Sequence, residues 1–94
     1  MGKKCRDCIR LLAGIFSELS AAATYRELGK EDNEAYYLDL TKTDVETLYE
    51  MGCIPAELKE GAAKALDARE YSAAWSRLVA ATFLVASRCQ REHE

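Results

Sequence analysis

The sequence predicts an all-α protein that folds as a compact antiparallel four-helix bundle built of two helical hairpins. Apolar residues recur at spacings of three and four along four segments of the chain, which is the period of an amphipathic helix. Ala, Leu, Glu, Lys and Arg are frequent, whereas the 94 residues include one Pro and five Gly, a composition that favours helix over strand. We expect a chain of this length to form a single helical domain, residues 1–94.

The first helix is predicted to run from Lys4 to Leu28. Its apolar stripe consists of Cys8, Leu12, Ile15, Phe16, Leu19, Ala22 and Ala23. Gly29 then occupies the position at which helices commonly end in a left-handed residue. The acidic run from Glu31 to Glu34 provides an N-cap and negative charge for the start of the next helix.

The segment from Glu34 to Met51 allows two interpretations. Its apolar residues continue at helical spacing, with Val45 and Leu48 on one face. The sequence from Thr43 to Glu46 nevertheless fits a capping box, which would start a separate helix at Asp44. We therefore expect either one kinked helix or two short ones.

The second hairpin follows a clear boundary at Gly52 and Pro55, which suit a helix end and a helix start. The third helix is predicted from Pro55 to Leu66, and the fourth from Glu70 to Arg91. The buried stripe of the fourth helix is expected to contain Tyr71, Ala74, Trp75, Leu78, Ala81, Thr82, Val85 and Cys89. Val79, Phe83 and Ala86 form a second apolar face, which either packs within the bundle or contacts a partner, such as a second copy of the chain.

Charge is segregated along the chain, although the net charge is only -3. Residues 1–26 carry five basic and two acidic side chains, residues 27–70 five and twelve, and residues 71–94 three and two. This balance does not indicate nucleic-acid binding. No apolar run reaches the roughly 18 residues that a membrane span requires. We expect a cytoplasmic protein, in which thiols are reduced and structural disulfides are uncommon.

The four cysteines are expected to meet at one end of the bundle. In an up-down-up-down arrangement, the start of the first helix, the second connection and the end of the fourth helix lie together. These positions hold Cys5 and Cys8, Cys53, and Cys89, with His93 four residues further on. The convergence holds only if the segment from Glu34 to Met51 behaves as one helix.

Three uses of these cysteines are open. Free cysteine commonly packs as a small apolar residue, so inert packing without a cofactor is the first interpretation. The second is a zinc site or an iron–sulfur cluster on Cys5, Cys8, Cys53 and Cys89, with His93 as an alternate zinc ligand in place of Cys53. The third is thiol redox chemistry, favoured by the basic residues expected nearby, which are Lys3, Lys4, Arg6, Arg10, Arg88 and Arg91.

The expected function is non-enzymatic protein–protein interaction, as an adaptor or as a regulator or inhibitor of a larger partner. The chain has a single histidine and no phosphate-binding glycine loop or nucleophile elbow. Tyrosines surrounded by carboxylates in the second segment are typical of an interface, with Tyr37 expected to point inward and Tyr36 outward. The predicted interaction surface comprises Glu34, Tyr36, Asp39, Asp44, Glu46, Tyr49, Glu50, Val79 and Phe83. The alternative function is a metal-binding or thiol redox module.

Overall fold

Four helices account for nearly all of the chain in a computed structural model, which describes residues 2–93. They are α1 (Lys3–Glu27), α2 (Glu31–Glu50), α3 (Ala56–Asp67) and α4 (Tyr71–His93), and no strand occurs among the described residues. α1 packs on α2 and α4, and α3 closes the ring by packing on the same two helices. The predicted four-helix bundle is therefore confirmed. No helix in the described part of the chain is both long enough and apolar enough to cross a membrane.

The second segment is one continuous helix of 20 residues. Two threonine hydroxyls donate to carbonyls one turn back, Thr41 to Tyr37 at 2.7 Å and Thr47 to Thr43 at 3.1 Å. Thr43 thus lies inside the helical ladder, and the proposed start of a new helix at Asp44 is wrong. Because α2 spans the bundle in one piece, its end lies beside the start of α1 and the end of α4.

All three interhelical turns use the same hydrogen-bonding pattern, the Schellman motif. After α1, the Gly29 N–H donates to the Arg26 carbonyl and the Lys30 N–H donates to the Tyr25 carbonyl. The same pattern follows α2 and α3, with Gly52 and Arg69 in the left-handed position. Gly29 has φ +70° and Gly52 has φ +77°, which explains why glycine stands at both positions. Arg69 adopts φ 56° without that freedom.

The core follows the predicted stripes, with one correction on α4. Its buried line consists of Ala74, Leu78, Ala81, Val85 and Cys89. Trp75 and Thr82, which were predicted to lie in that line, are exposed, Trp75 to 42%. The indole of Trp75 lies at the seam between α1 and α4, with its ring centroid 4.7 Å from that of Phe16.

Candidate functional site

The four cysteines lie together at one end of the bundle, as the helix order predicted. They form two disulfides, Cys5–Cys89 with a Cα–Cα distance of 5.6 Å and Cys8–Cys53 with 5.8 Å. The first joins the start of α1 to the end of α4, and the second joins α1 to the turn between α2 and α3. The expectation that the cysteines are reduced is therefore corrected. The start of α1, the α2–α3 turn and the end of α4 meet closely enough for each sulfur to bond to another. The spacing of cysteines in the sequence does not reveal this distance.

The disulfides are buried, since all four cysteines are at most 5% exposed. Each closes a long loop, with sequence separations of 84 and 45 residues. On the chain-entropy model, such a cross-link stabilises a domain by about 4 kcal/mol. Their placement therefore fits a structural clamp that fixes α1 to the rest of the bundle.

Paired sulfurs do not act as thiolate ligands, so the metal hypothesis applies only to the reduced protein. Among residues 2–93, no group of three or more His, Cys, Asp or Glu side chains is arranged to hold a metal ion. The side chain of His93, the alternate ligand, lies outside the described part of the structure. Zinc or iron–sulfur binding by the reduced thiols remains a prediction.

A small cavity of about 20 Å³ lies between the two disulfides and is lined by all four cysteines, Val85, Lys4 and Arg88. The Arg88 guanidinium donates to the Gly52 carbonyl at 2.9 Å and to the Cys53 carbonyl at 3.4 Å. Arg88 thereby supplies positive charge at the C-terminal end of α2, whose own last turn contains no basic residue. A cavity of this size holds about one water molecule and no larger ligand.

The predicted acidic surface on α2 is only partly present. Glu34 is buried, with 3% of its surface exposed, so it cannot contact a partner. One carboxylate oxygen pairs with Arg69 at 3.0 Å, and the other accepts a hydrogen bond from the Tyr71 hydroxyl at 2.5 Å. This correction follows from the α3–α4 turn, which lies over the first turns of α2.

The other α2 residues are accessible to different degrees. Tyr36 is 61% exposed, and Tyr37 is half-buried against Tyr25, as predicted. Lys59 from α3 pairs with Glu46 at 3.4 Å and lies 4.9 Å from the centre of the Tyr49 ring. Asp39 and Glu50 are exposed, whereas Asp44 is half-buried. Part of the negative charge of α2 is thus matched within the molecule.

A carboxyl pair that was not predicted from the sequence lies between α1 and α2. Burial, together with a hydrogen bond to Asp44 and the charge of Asp44, raises the pKa of Glu18 to about 7. One oxygen of Glu18 is buried without a hydrogen-bond partner. The sequence did contain a signal, because Glu18 lies between Ile15 and Ala22 at the spacing of the buried stripe.

Three of the exposed large apolar side chains, Ile9, Trp75 and Phe83, belong to α1 and α4, and we call the surface that they mark the α1–α4 face. Phe83 is 72% exposed, Trp75 42% and Ile9 40%. Val79 is half-buried, and Ala86 is exposed. The face consists of Ile9, Ala13, Phe16, Trp75, Val79, Phe83 and Ala86. The second apolar face that the sequence predicted on α4 is therefore not covered within this chain.

Two grooves lie along this face between α1 and α4. The apolar groove, about 340 Å³, is lined by Ile9, Leu12, Ala13, Phe16, Thr82 and Ala86. The serine groove, about 560 Å³, is lined by Leu19, Ser20, Ala23, Thr24, Tyr71, Ser72, Trp75 and Ser76. Both volumes are in the range of grooves that accept a side chain or a small molecule.

The fold by itself does not assign an activity, because four-helix bundles serve many unrelated functions. What can be inferred about function therefore comes from the geometry of these residues. Comparison of the chain with protein-family models, with curated proteins and with solved structures finds no match.

Proposed function

We propose that this protein is a non-enzymatic adaptor or regulator that binds a protein partner through the α1–α4 face. The observation that carries the proposal is the exposure of Phe83 (72%), Trp75 (42%) and Ile9 (40%) on the two helices that form the apolar groove. Contiguous exposed apolar surface on a small folded domain commonly marks an interaction site. Aromatic side chains beside a groove are also the typical anchors of protein interfaces.

Rigidity of the face supports this proposal. α1 and α4 form its two walls, and the Cys5–Cys89 disulfide links them at one end. The Phe16 and Trp75 rings pack edge to face across the seam, with centroids 4.7 Å apart. A preformed surface loses little conformational entropy on binding, so more of its contact energy appears as affinity.

The α1–α4 face is a better binding surface than the acidic side of α2. Two of the residues expected on α2 already have partners within the chain, Glu46 with Lys59 and Glu34 with Arg69. Isolated charges on an exposed helix contribute little to affinity. Tyr36, exposed to 61%, belongs to α2, and its ring packs edge to face on Tyr37 with the centroids 5.1 Å apart.

A photocrosslinking amino acid at position 83 tests the proposal. We expect the illuminated protein to form a discrete covalent adduct with a protein in extracts of its host. The same group at position 36 is the matched control, because Tyr36 is also an exposed aromatic but belongs to α2. The proposal fails if position 83 yields no adduct, or only the adducts seen at position 36.

A second candidate function is metal binding by the reduced protein. The observation that favours it is that all four cysteines line one cavity, with Lys4 and Arg88 able to offset the charge of a four-thiolate site. Titration of anaerobically reduced protein with Co²⁺ tests it. We expect one equivalent to bind, with thiolate-to-metal absorption that Cys53→Ala diminishes. Absence of that absorption would eliminate this candidate.

The state of the cysteines bears on the compartment in which the protein works. The lack of a membrane-length apolar run led to the expectation of a cytoplasmic protein, but two buried disulfides favour an oxidising compartment. Blocking free thiols at the moment of cell lysis, followed by mass spectrometry, distinguishes the two. We expect Cys5, Cys8, Cys53 and Cys89 to be unmodified, whereas four blocked cysteines would restore the cytoplasmic assignment.

A further inference from the structure

The α1–α4 face has the apolar groove towards one end and the serine groove towards the other. The two grooves therefore exchange places when the face is turned end to end. On α1, Ile9 and Ala13 line the apolar groove, and Ser20 and Thr24 line the serine groove. When two copies of α1 lie antiparallel and are centred on the turn that contains Phe16, Ile9 of one copy lies opposite Thr24 of the other. Ala13 then lies opposite Ser20. A second copy laid antiparallel on this face would therefore place its apolar groove over the serine groove of the first.

Shape supports the same arrangement. Phe83 is the most exposed large apolar side chain in the described structure. Reversal about the middle of α4, near Val79, brings Phe83 of one copy over the segment from Ser72 to Ser76 of the other. That segment includes Trp75 and forms one wall of the serine groove, whose volume is about 560 Å³. Phe83 of each copy thus lies near Trp75 of the other, and this aromatic contact occurs twice, once on each side of a two-fold axis.

Charge selects the antiparallel orientation. Arg6 lies three residues before Ile9, and Glu27 lies seven residues after Ser20, so both are on the groove side of α1, and both are exposed. They are separated by roughly 30 Å along the helix. In an antiparallel pair, Arg6 of each copy faces Glu27 of the other.

A parallel pair is disfavoured by the cysteine end of the bundle. Its exposed side chains on α1 and α4 are mostly basic, and a parallel arrangement would bring the two sets together. They are Lys3, Lys4, Arg6, Arg10 and Arg91.

We propose that the partner covering the α1–α4 face is a second copy of this chain, bound antiparallel about a two-fold axis. This inference rests on the proposed function, since it names the partner of the same face. Two-fold dimers require a self-complementary surface, which the exchange of grooves, the Phe83 position and the Arg6–Glu27 spacing together provide.

Sedimentation equilibrium of the full chain, from roughly 1 to 100 µM, tests the proposal. We expect a reversible dimer, and we expect Phe83→Ser to raise its dissociation constant at least about tenfold. Tyr36→Ser is the control for loss of an exposed aromatic and leaves the constant unchanged. Circular dichroism verifies that both variants keep the helix content of the parent.

A charge exchange tests the orientation. R6E and E27R each place like charges opposite one another, so each variant alone dimerises about tenfold more weakly. An equimolar mixture of the two recovers the parent affinity, because position 6 and position 27 of the mixed dimer carry opposite charges at both contacts. A parallel dimer or a different face gives no recovery on mixing.

The outcomes separate this inference from the proposed function. A chain that remains monomeric throughout the range, or a dimer insensitive to Phe83→Ser, overturns the second copy as partner. If position 83 of such a monomer still crosslinks to a different protein, the proposed function stands alone. If position 83 crosslinks to nothing, both fail.

Discussion

Glu34 on α2 and Arg69 in the α3–α4 turn form an ion pair whose carboxylate is buried, with 3.0 Å between carboxylate oxygen and guanidinium nitrogen. Arg69 is also the one non-glycine residue described with a left-handed backbone, at φ 56°. Its carbonyl accepts a hydrogen bond from Arg26 of α1 at 2.6 Å. A single strained residue therefore joins α1, α2 and the second hairpin at the end of the molecule opposite the disulfides.

Replacing Arg69 with glycine has two opposing effects on stability, relief of backbone strain and loss of the ion pair with Glu34. Glycine removes a backbone strain of about 1 kcal/mol, but it leaves the Glu34 carboxylate buried with only the Tyr71 hydroxyl as partner. Loss of a partner from a buried charge costs about 3 kcal/mol, less here because Arg69 is itself 44% exposed. We expect Arg69→Gly to lower the free energy of unfolding by about 1 kcal/mol in urea denaturation monitored by circular dichroism.

The double variant Arg69→Gly, Glu34→Gln is the control for that prediction. It removes the unpaired charge while keeping the glycine, so its stability should lie above that of Arg69→Gly alone. A single variant more stable than the parent would show that backbone strain outweighs the ion pair.

The Tyr71 hydroxyl is the second partner of Glu34. Burial, then the hydrogen bond to Glu34 and its charge, raise the pKa of Tyr71 to about 12, although Arg69 and Arg26 oppose the shift. We expect Tyr71→Phe to lower the free energy of unfolding by about 1.5 kcal/mol, because a hydrogen bond to a charged group is lost while the ring remains. Absorbance titration of the parent should show one of the five tyrosines ionising last, and that step should be absent from the variant.

The ends of the first two helices could be predicted from the sequence because a glycine follows each of them. Gly29 and Gly52 both adopt the left-handed conformation that ends a helix. The turn at Arg69 has the same geometry without a glycine, so no residue of that kind marks it in the sequence. Convergence of the cysteines also followed from helix order, which depended on α2 being continuous.

Features set by the angle and separation of neighbouring helices could not be predicted. Glu34 resembles any other carboxylate in an acidic run until the α3–α4 turn covers it. Trp75 fits the buried stripe of α4 by spacing, but its indole lies against Phe16 of α1 and stays 42% exposed. Disulfide pairing was undetermined for the same reason, since four cysteines permit three pairings.

Stability should decrease from mildly acidic to alkaline pH because of Glu18. Its pKa is about 7 in the folded protein against an ordinary value of 4.5, with burial as the main cause and Asp44 as the next. The folded state therefore holds a proton that the unfolded state has released, so this stabilisation is complete below pH 4.5 and is lost as pH rises through 7. The melting temperature should be higher at about pH 6 than at about pH 8.

Glu18→Gln tests the origin of that dependence. The amide is neutral at all pH values and can donate to Asp44, so the variant should keep at alkaline pH the stability that the parent has at acidic pH. Asp39→Asn, which changes an exposed carboxyl on α2, should leave the dependence unchanged. Equal slopes for the parent and Glu18→Gln would assign the effect to other groups.

The disulfide pairing predicts a specific tryptic map, because cleavage after Arg6 separates Cys5 from Cys8. Without reduction, the peptide Cys5–Arg6 should remain linked to Cys89–Arg91, and Asp7–Arg10 should remain linked to Thr43–Lys59. A link between Cys5–Arg6 and Thr43–Lys59 would reveal exchanged partners, and unlinked peptides would reveal free thiols.

Cys5→Ala with Cys89→Ala should lower the free energy of unfolding by about 4 kcal/mol, since the long loop is then no longer closed. Cys8–Cys53 should still form in that variant, because Leu12, Ile15 and the continuous α2 hold α1 beside Cys53 without the first bridge.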